Sequence, residues 1–304
     1  MKNSIFSQLT VGFAITIFFA VSVVAQKPTK PAMQTAKPIV FAVLDDGQRI
    51  EPIAYVNKGK LEEPADGGDE MSIISAFNKS YYKVGTAYRL IFGGSTGGSV
   101  TVKSSNPNSD CGKNVGTVTT KAAKTPLKGN VMALATNVAG KSTAASYRRK
   151  PTDAERIEVE ALVKAEFAKQ KLTPKTLRYQ NLTALDVDND GSAEMVGSYW
   201  IEVDKLTRAL LFFIAAKGTN GKYAFGHHEY RTVDQANVMS GDIKNVDEGV
   251  YHEMLLDVLD VNGDGIAEVF TNTASFEGAG FAAYSRSGAK WTKIFDGSNY
   301  HCGY

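Results

Sequence analysis

The sequence predicts a mainly β protein: a β-rich N-terminal domain, one helix, then a second β domain. Three observations carry that reading. Short β-branched and aromatic runs separated by Gly, Asp, Asn and Ser clusters recur from Ile39 to Ala135 and again from Leu182 onward. Helix start and stop signals are clear at one place only, after Pro151. Two acidic nine-residue loops of one design, beginning at Asp186 and Asp260, each lie between apolar runs of the second segment.

Taken in chain order, the first element is a leader. Lys2 precedes an apolar stretch from Leu9 to Val24, and Val23-Val24-Ala25 before Gln26 reads as a small-residue cleavage site. Residues 1–25 are therefore expected to be a signal peptide, cleaved near Ala25, with a secreted or periplasmic mature chain; an uncleaved signal anchor is the alternative. No later run approaches the ~18 apolar residues of a spanning helix, so the mature chain should carry no transmembrane span. Residues 26–38, rich in Pro, Lys and Thr, read as a flexible lead-in.

The N-terminal domain is expected over 39–136. Its strands are Ile39 to Leu44, Ile50 to Val56, Tyr81 to Ile91, Val100 to Ser104, Val115 to Thr120 and Val131 to Ala135. Residues 137–151 read as a basic linker, and 152–304 as the helix plus the loop-bearing β domain. Thr152 with Glu155 three residues on forms a capping box, which predicts a helix from Asp153 to Lys169 with Ile157, Ala161, Val163 and Phe167 inward. Pro174 limits its extension. Strands follow at Ala209 to Ala216 and Tyr223 to Tyr230, joined across an Asn220-Gly221 hairpin signal.

The loops read Asp186-Val187-Asp188-Asn189-Asp190-Gly191-Ser192-Ala193-Glu194 and Asp260-Val261-Asn262-Gly263-Asp264-Gly265-Ile266-Ala267-Glu268. Oxygen-bearing side chains at positions 1, 3, 5 and 9, a glycine at 6 for the turn and a carbonyl at 7 suit a hard cation such as Ca2+. A pair of solvated Asx turns is the plainer alternative. An EF-hand is excluded, because its position-12 glutamate is replaced by Gly197 and Thr271 and the flanks are strand-like. The arrangement of strand, acidic loop and strand resembles the calcium-binding repeats of the FG-GAP and VCBS type, as in integrin α-subunit propellers. The resemblance implies a propeller-like or blade-like C-terminal domain with two Ca2+. Its ligands would be Asp186, Asp188, Asp190, the Ser192 carbonyl and Glu194, and then Asp260, Asn262, Asp264, the Ile266 carbonyl and Glu268. The name-giving Phe-Gly-Gly-Ala-Pro element is absent before both loops; Phe92-Gly93-Gly94-Ser95 is similar but lies far upstream.

Two cysteines, Cys111 and Cys302, are expected to form one disulfide in an oxidising compartment. Charge is divided: residues 26–150 hold 18 basic and 9 acidic side chains, residues 151–304 hold 15 and 23. Cys111 to Lys150 carries eight basic residues and no acidic one. An anionic envelope polymer, a polysaccharide or another protein could meet that patch, or the basic half could dock on the acidic half. Nucleic acid is disfavoured by export and by the lack of interleaved aromatics. Gly140-Lys141-Ser142 lacks the first glycine of a phosphate loop. His227 and His228 are adjacent and so face opposite sides of a strand, and no zinc spacing involves His252 or His301.

The expectation is an exported calcium-binding module, a non-enzymatic binding or envelope-associated protein with Ca2+ holding strand-connecting loops. The alternative is a secreted polysaccharide hydrolase using a carboxylate pair drawn from Glu202, Glu253 and Glu277. No nucleophile motif is present to support other hydrolytic chemistry.

Overall fold

A computed structural model describes residues 36–122, 127–139, 148–173, 175–239 and 241–302. The expected signal peptide, most of the lead-in and the Gly140-Lys141-Ser142 segment lie outside these residues. The chain is mainly β, as expected.

The first sheet comprises β1 (Ile39–Leu44), β2 (Arg49–Asn57), β3 (Lys60–Glu62), β4 (Ala87–Phe92), β5 (Ser95–Ser105), β6 (Gly116–Ala122) and β7 (Ala133–Thr136). Its order is β1-β7-β4-β5-β6-β2-β3, and β2 also pairs with β1, so six antiparallel strands close into a barrel. Strand period decides what fills it. Ile39, Phe41 and Val43 point inward with Tyr88, Leu90, Val100 and Val102, while Val40, Ala42 and Leu44 point outward into a second cluster. β1 is consequently buried at every position.

Two helices were not anticipated: a single turn, α3 (Lys244–Asp247), and α1 (Met71–Tyr81), which covers ground read as loop and strand. Its N-cap Glu70 makes no side-chain cap bond, which removed the usual start signal. Ile74, Phe77 and Tyr81 nevertheless follow the helical i, i+3, i+7 spacing, and all three are buried; Phe77 and Tyr81 join the barrel interior.

The second half contains two antiparallel meanders. The first is β9 (Arg178–Leu185), β10 (Glu194–Asp204), β11 (Thr207–Lys217) and β12 (Tyr223–Asp234), with β8 (Arg148–Arg149) added beside β9. The second is β13 (Glu253–Leu259), β14 (Glu268–Ala274), β15 (Gly278–Ser287) and β16 (Lys290–Tyr300). They pack face to face through Leu185, Val196, Phe212 and Ile214 against Leu255, Val258, Val269 and Tyr284. The other face of the second meander, with Leu256, Phe270, Phe281 and Phe295, lies on the outside of the barrel. A short helix, α3 (Lys244–Asp247), lies between the two meanders in sequence.

The outer face of the first meander is covered by α2 (Asp153–Lys169). The capping box is formed: Glu155 N–H donates to the Thr152 hydroxyl at 3.3 Å and Thr152 N–H to Glu155 Oε2 at 2.7 Å. Arg149 adds two bonds to the same carboxylate, at 2.7 and 2.8 Å, and holds its pKa down at about 2. The inward face differs from expectation. Val159, Val163 and Phe167 are buried, whereas Ile157 is 67% exposed and Ala161 is also exposed. The helix meets the sheet along a narrow stripe of Val159, Val163 and Phe167, and Ile157 and Ala161 fall outside it.

The stretch expected as a linker ends as structure. Arg149 and Arg148 pair with Ala184 and Leu185 of β9. Arg148 Nη1 donates to Asp257 Oδ2 at 2.7 Å, to the Met132 carbonyl at 2.9 Å and to the Leu256 carbonyl at 2.8 Å, and its guanidinium lies over the Phe92 ring. Asp257 is fully buried and also accepts from Gly93 N–H, Gly94 N–H and Val258 N–H, at 2.9, 2.9 and 2.7 Å. A β-bulge between Leu255 and Asp257 turns both Leu256 and Asp257 toward the barrel, which makes this contact possible.

Cys111 and Cys302 form a disulfide with Cα atoms 4.9 Å apart, joining the β5–β6 connection to the residues after β16. Beside it, buried Glu51 of β2 accepts from Asn299 Nδ2 at 2.7 Å and lies against His301 Nε2.

Candidate metal-binding loops

Each acidic loop joins the first two strands of its meander, Leu185 to Glu194 in one and Leu259 to Glu268 in the other. The two share a hydrogen-bond frame. The position-1 aspartate accepts from the position-6 glycine N–H: Asp186 from Gly191 and Asp260 from Gly265, both at 3.0 Å. The position-5 aspartate accepts from the position-7 N–H: Asp190 from Ser192 at 2.7 Å and Asp264 from Ile266 at 2.8 Å. The position-9 glutamate reaches back to the position-2 N–H: Glu194 to Val187 at 3.2 Å and Glu268 to Val261 at 3.0 Å. Gly191 and Gly265 have φ of +82° and +88°, which is why glycine occupies position 6 in both.

The loops also touch. Ala267 N–H donates to the Val187 carbonyl at 2.9 Å, so a backbone bond crosses between the meanders at the loop level.

Their carboxylates are not equivalent in environment. Glu194 and Glu268 are almost fully buried, and loss of hydration pushes each pKa up to about 7. In the first loop, oxygens of Asp186, Asp188 and Glu194 all lie within 4.8 Å of one another. Two oxygens bound to one Ca2+ at 2.3–2.6 Å can be at most about 5 Å apart, so this all-oxygen group has dimensions that such an ion spans. In the second loop Asn262 Nδ2 donates to Asp264 Oδ2 and Glu268 Oε1, both at 3.0 Å, while its Oδ1 accepts from Asp264 N–H at 2.8 Å. A half-turn of that amide would present its oxygen to the same carboxylates.

One residue at the first loop was not anticipated. Arg286 of β15 donates from Nη1 to Glu194 Oε1 at 2.9 Å and from Nη2 to Asp188 Oδ2. Nothing near Arg286 in sequence points to this, since it reaches the loop only because the meanders stack.

The carboxylates considered for hydrolysis are dispersed in role. Glu202 is exposed on β10, Glu277 lies in the β14–β15 turn, and Glu253 is half-buried with Oε1 accepting from the Thr271 and Tyr284 hydroxyls, both at 2.7 Å. The histidines do not converge either. His227 packs on Tyr284, between the meanders, while His228 faces Glu166 of α2, on the opposite side of β12.

Comparison with protein-family models, with curated proteins and with solved structures finds no match to this chain. The loops must therefore be read from their own chemistry. Among the described residues no helix is long and apolar enough to cross a membrane.

His252 supplies a test of burial independent of the loops. It is fully enclosed, with Nε2 against the Val246 carbonyl at 2.9 Å and Nδ1 near the Ser198 hydroxyl at 3.4 Å, and burial lowers its pKa to about 4. The unfolded chain, with a histidine pKa near 6.5, binds the extra proton first as pH falls. Stability from neutral His252 is thus full above pH 6.5 and lost toward pH 4, on the order of 3 kcal/mol. The unfolding free energy of the wild type relative to His252→Gln should shrink by that order between pH 7.5 and 4. A flat difference would show that the imidazole is not held neutral.

Proposed function

We propose that this chain is an exported, calcium-binding module of the non-enzymatic binding or envelope-associated kind, in which Ca2+ stabilises the strand-connecting loops. The observation that carries the reading is the shared loop frame, in which sequence-equivalent groups make equivalent bonds in both loops, while in the first loop oxygens of Asp186, Asp188 and Glu194 gather within the span of one ion. Asp186, Asp188, Asp190, the Ser192 carbonyl and Glu194 form one candidate ligand set. Asp260, Asn262, Asp264, the Ile266 carbonyl and Glu268 form the other. Bound there, the cation supplies charge that offsets the buried carboxylates and fixes the turn, so strand ends on both sides become more rigid.

The leader-like N-terminus supports export, since weak calcium sites fill where the ion is plentiful. A partner such as an anionic envelope polymer or polysaccharide, or another protein, is proposed for the basic half, whose exposed Lys121 and Lys128 are available. Arg148 and Arg149 are committed to Asp257 and Glu155.

Chelation tests the calcium reading. A ligand at 100 times its dissociation constant adds about 2.7 kcal/mol per independent site, so removing Ca2+ should lower the melting temperature by several degrees. Because the Glu194 and Glu268 pKa values sit near 7, calcium must displace protons as pH falls, and its stabilisation should be larger at pH 8 than at pH 5. Identical melting curves with chelator and with Ca2+ at pH 8 would rule the reading out.

A further inference from the structure

At the end of the barrel where β5 stops and β2 and β6 start, a cavity of about 450 Å³ lies between the β5–β6 connection and the residues after β16. That volume falls within the range of roughly 300 to 1,000 Å³ typical of small-molecule sites. Arg49 and His301 line it, with Ser104, Ser105, Asn106 and Thr117. Among the described residues, the three hydroxyls and the Asn106 Nδ2 have no hydrogen-bond partner.

Behind Arg49 and His301 sits the fully buried Glu51. Its Oε1 lies against His301 Nε2, while its Oε2 has no hydrogen-bond partner among the described residues and stands 3.7 Å from Arg49 Nη1. A carboxylate only accepts, so His301 Nε2 carries the proton and Nδ1 is left as an acceptor. No described residue bonds that Nδ1. Burial strips a carboxylate of its hydration, and uncharged residues of similar volume commonly serve stability as well. Glu51 instead fixes two side chains that face open space, 33% and 22% exposed.

Charge selects the ligand class. Arg49 is already flanked by two carboxylates, with Asp45 Oδ2 2.7 Å from its Nε and Glu51 beyond, so no cationic charge is left over for an anion. The cavity offers donors and acceptors together, and Val115 and Cys111 add apolar surface. Sugar hydroxyls both donate and accept, and the C–H faces of a pyranose ring suit the apolar part. Resting on the polysaccharide-partner reading and not on the acidic loops, we propose that this cavity binds one neutral saccharide unit. Arg49 and Asn106 donate to its oxygens, His301 Nδ1 accepts from a hydroxyl, and Glu51 is a positioning residue.

The test titrates the full mature chain, labelled with 15N, with methyl α-glucoside, methyl α-mannoside, methyl β-galactoside and, as the acidic counterpart, methyl β-glucuronide. Wild type should bind at least one neutral glycoside saturably and more tightly than the glucuronide, with amide shift changes at residues 104–106, 112 and 301. Arg49→Met should weaken binding by about tenfold, as loss of a charge-assisted hydrogen bond does, and Thr117→Val by about threefold, as loss of a neutral one does. Thr117 is exposed and unbonded, so that variant decides if Arg49→Met does not fold. The imidazole 15N shifts of His301 should report the Nε2–H tautomer in wild type and a mixture in Glu51→Gln, together with weaker binding. Preference for the glucuronide, shift changes confined to other residues, or unchanged affinity in Thr117→Val would each overturn the inference. Binding of none of the four glycosides would also overturn it, and retardation of the chain in gels containing dextran or alginate would then show that the polysaccharide reading survives.

Discussion

Asp257→Ala is expected to lower the unfolding free energy by about 3 to 5 kcal/mol, the range for breaking a buried ion pair from one side. The aspartate accepts four hydrogen bonds, from Arg148 and from the N–H groups of Gly93, Gly94 and Val258. Truncation removes the shared acceptor of these donors at once and leaves the Arg148 guanidinium, 7% exposed, with two carbonyl partners but without its anion. The loss is concentrated at a joint, because the donors belong to the barrel, to β8 and to the second meander. Arg148→Met should cost less, since the carboxylate keeps three N–H partners. Urea titration of both variants at fixed Ca2+ measures this; a loss below 1 kcal/mol for Asp257→Ala would show that the joint does not hold the parts together.

Removing the disulfide should have an effect of similar size by a different route. Cys111 and Cys302 are separated by 191 residues, and the chain-entropy relation gives roughly 5 kcal/mol for closing so long a loop. Around the bond the native contacts do not depend on sulfur. Asn299 donates to Glu51, Asn114 donates to Asn299 Oδ1 at 2.6 Å, and Gly67 N–H donates to the same oxygen at 3.0 Å. The reduced protein should therefore keep its fold and lose stability through a freer unfolded chain. For a domain this large, such a change lowers Tm by on the order of 10 °C. Cys111→Ser and Cys302→Ser should be equally affected, and a shift under 2 °C on reduction would contradict the entropic account.

Much of the architecture was legible because it rests on local signals. The capping box at Thr152 and Glu155 placed α2 from Asp153 to Lys169, and apolar runs located most strands. Where the sequence misled, a local rule met a tertiary one. Ile157 has the right residue type for burial but lies off the stripe that meets the sheet. Tyr81 belongs to α1 and not to the strand that follows, because burial in the barrel end outweighs the β preference of its aromatic neighbours. The loops were readable as candidates from spacing alone. Arg286 was not, since its partners are 98 and 92 residues away. Asp257 was half legible: a lone carboxylate inside Leu255-Leu256-Asp257-Val258-Leu259 is anomalous, although its partners cannot be named without the fold.

The stacking of α2, two meanders and the barrel also bears on how such a chain can evolve. Repeat proteins ordinarily gain or lose units by duplication, because each unit offers its neighbour the same face. Here the loops recur after 74 residues, yet the outward face of one meander is taken by Val159, Val163 and Phe167 of α2 and that of the other by Val40, Ala42 and Leu134 of the barrel. A third copy would have to evict the helix or the barrel and expose the apolar surface each one covers. The two meanders are thus closed off by different elements, and neither side can take a third sheet without uncovering apolar surface.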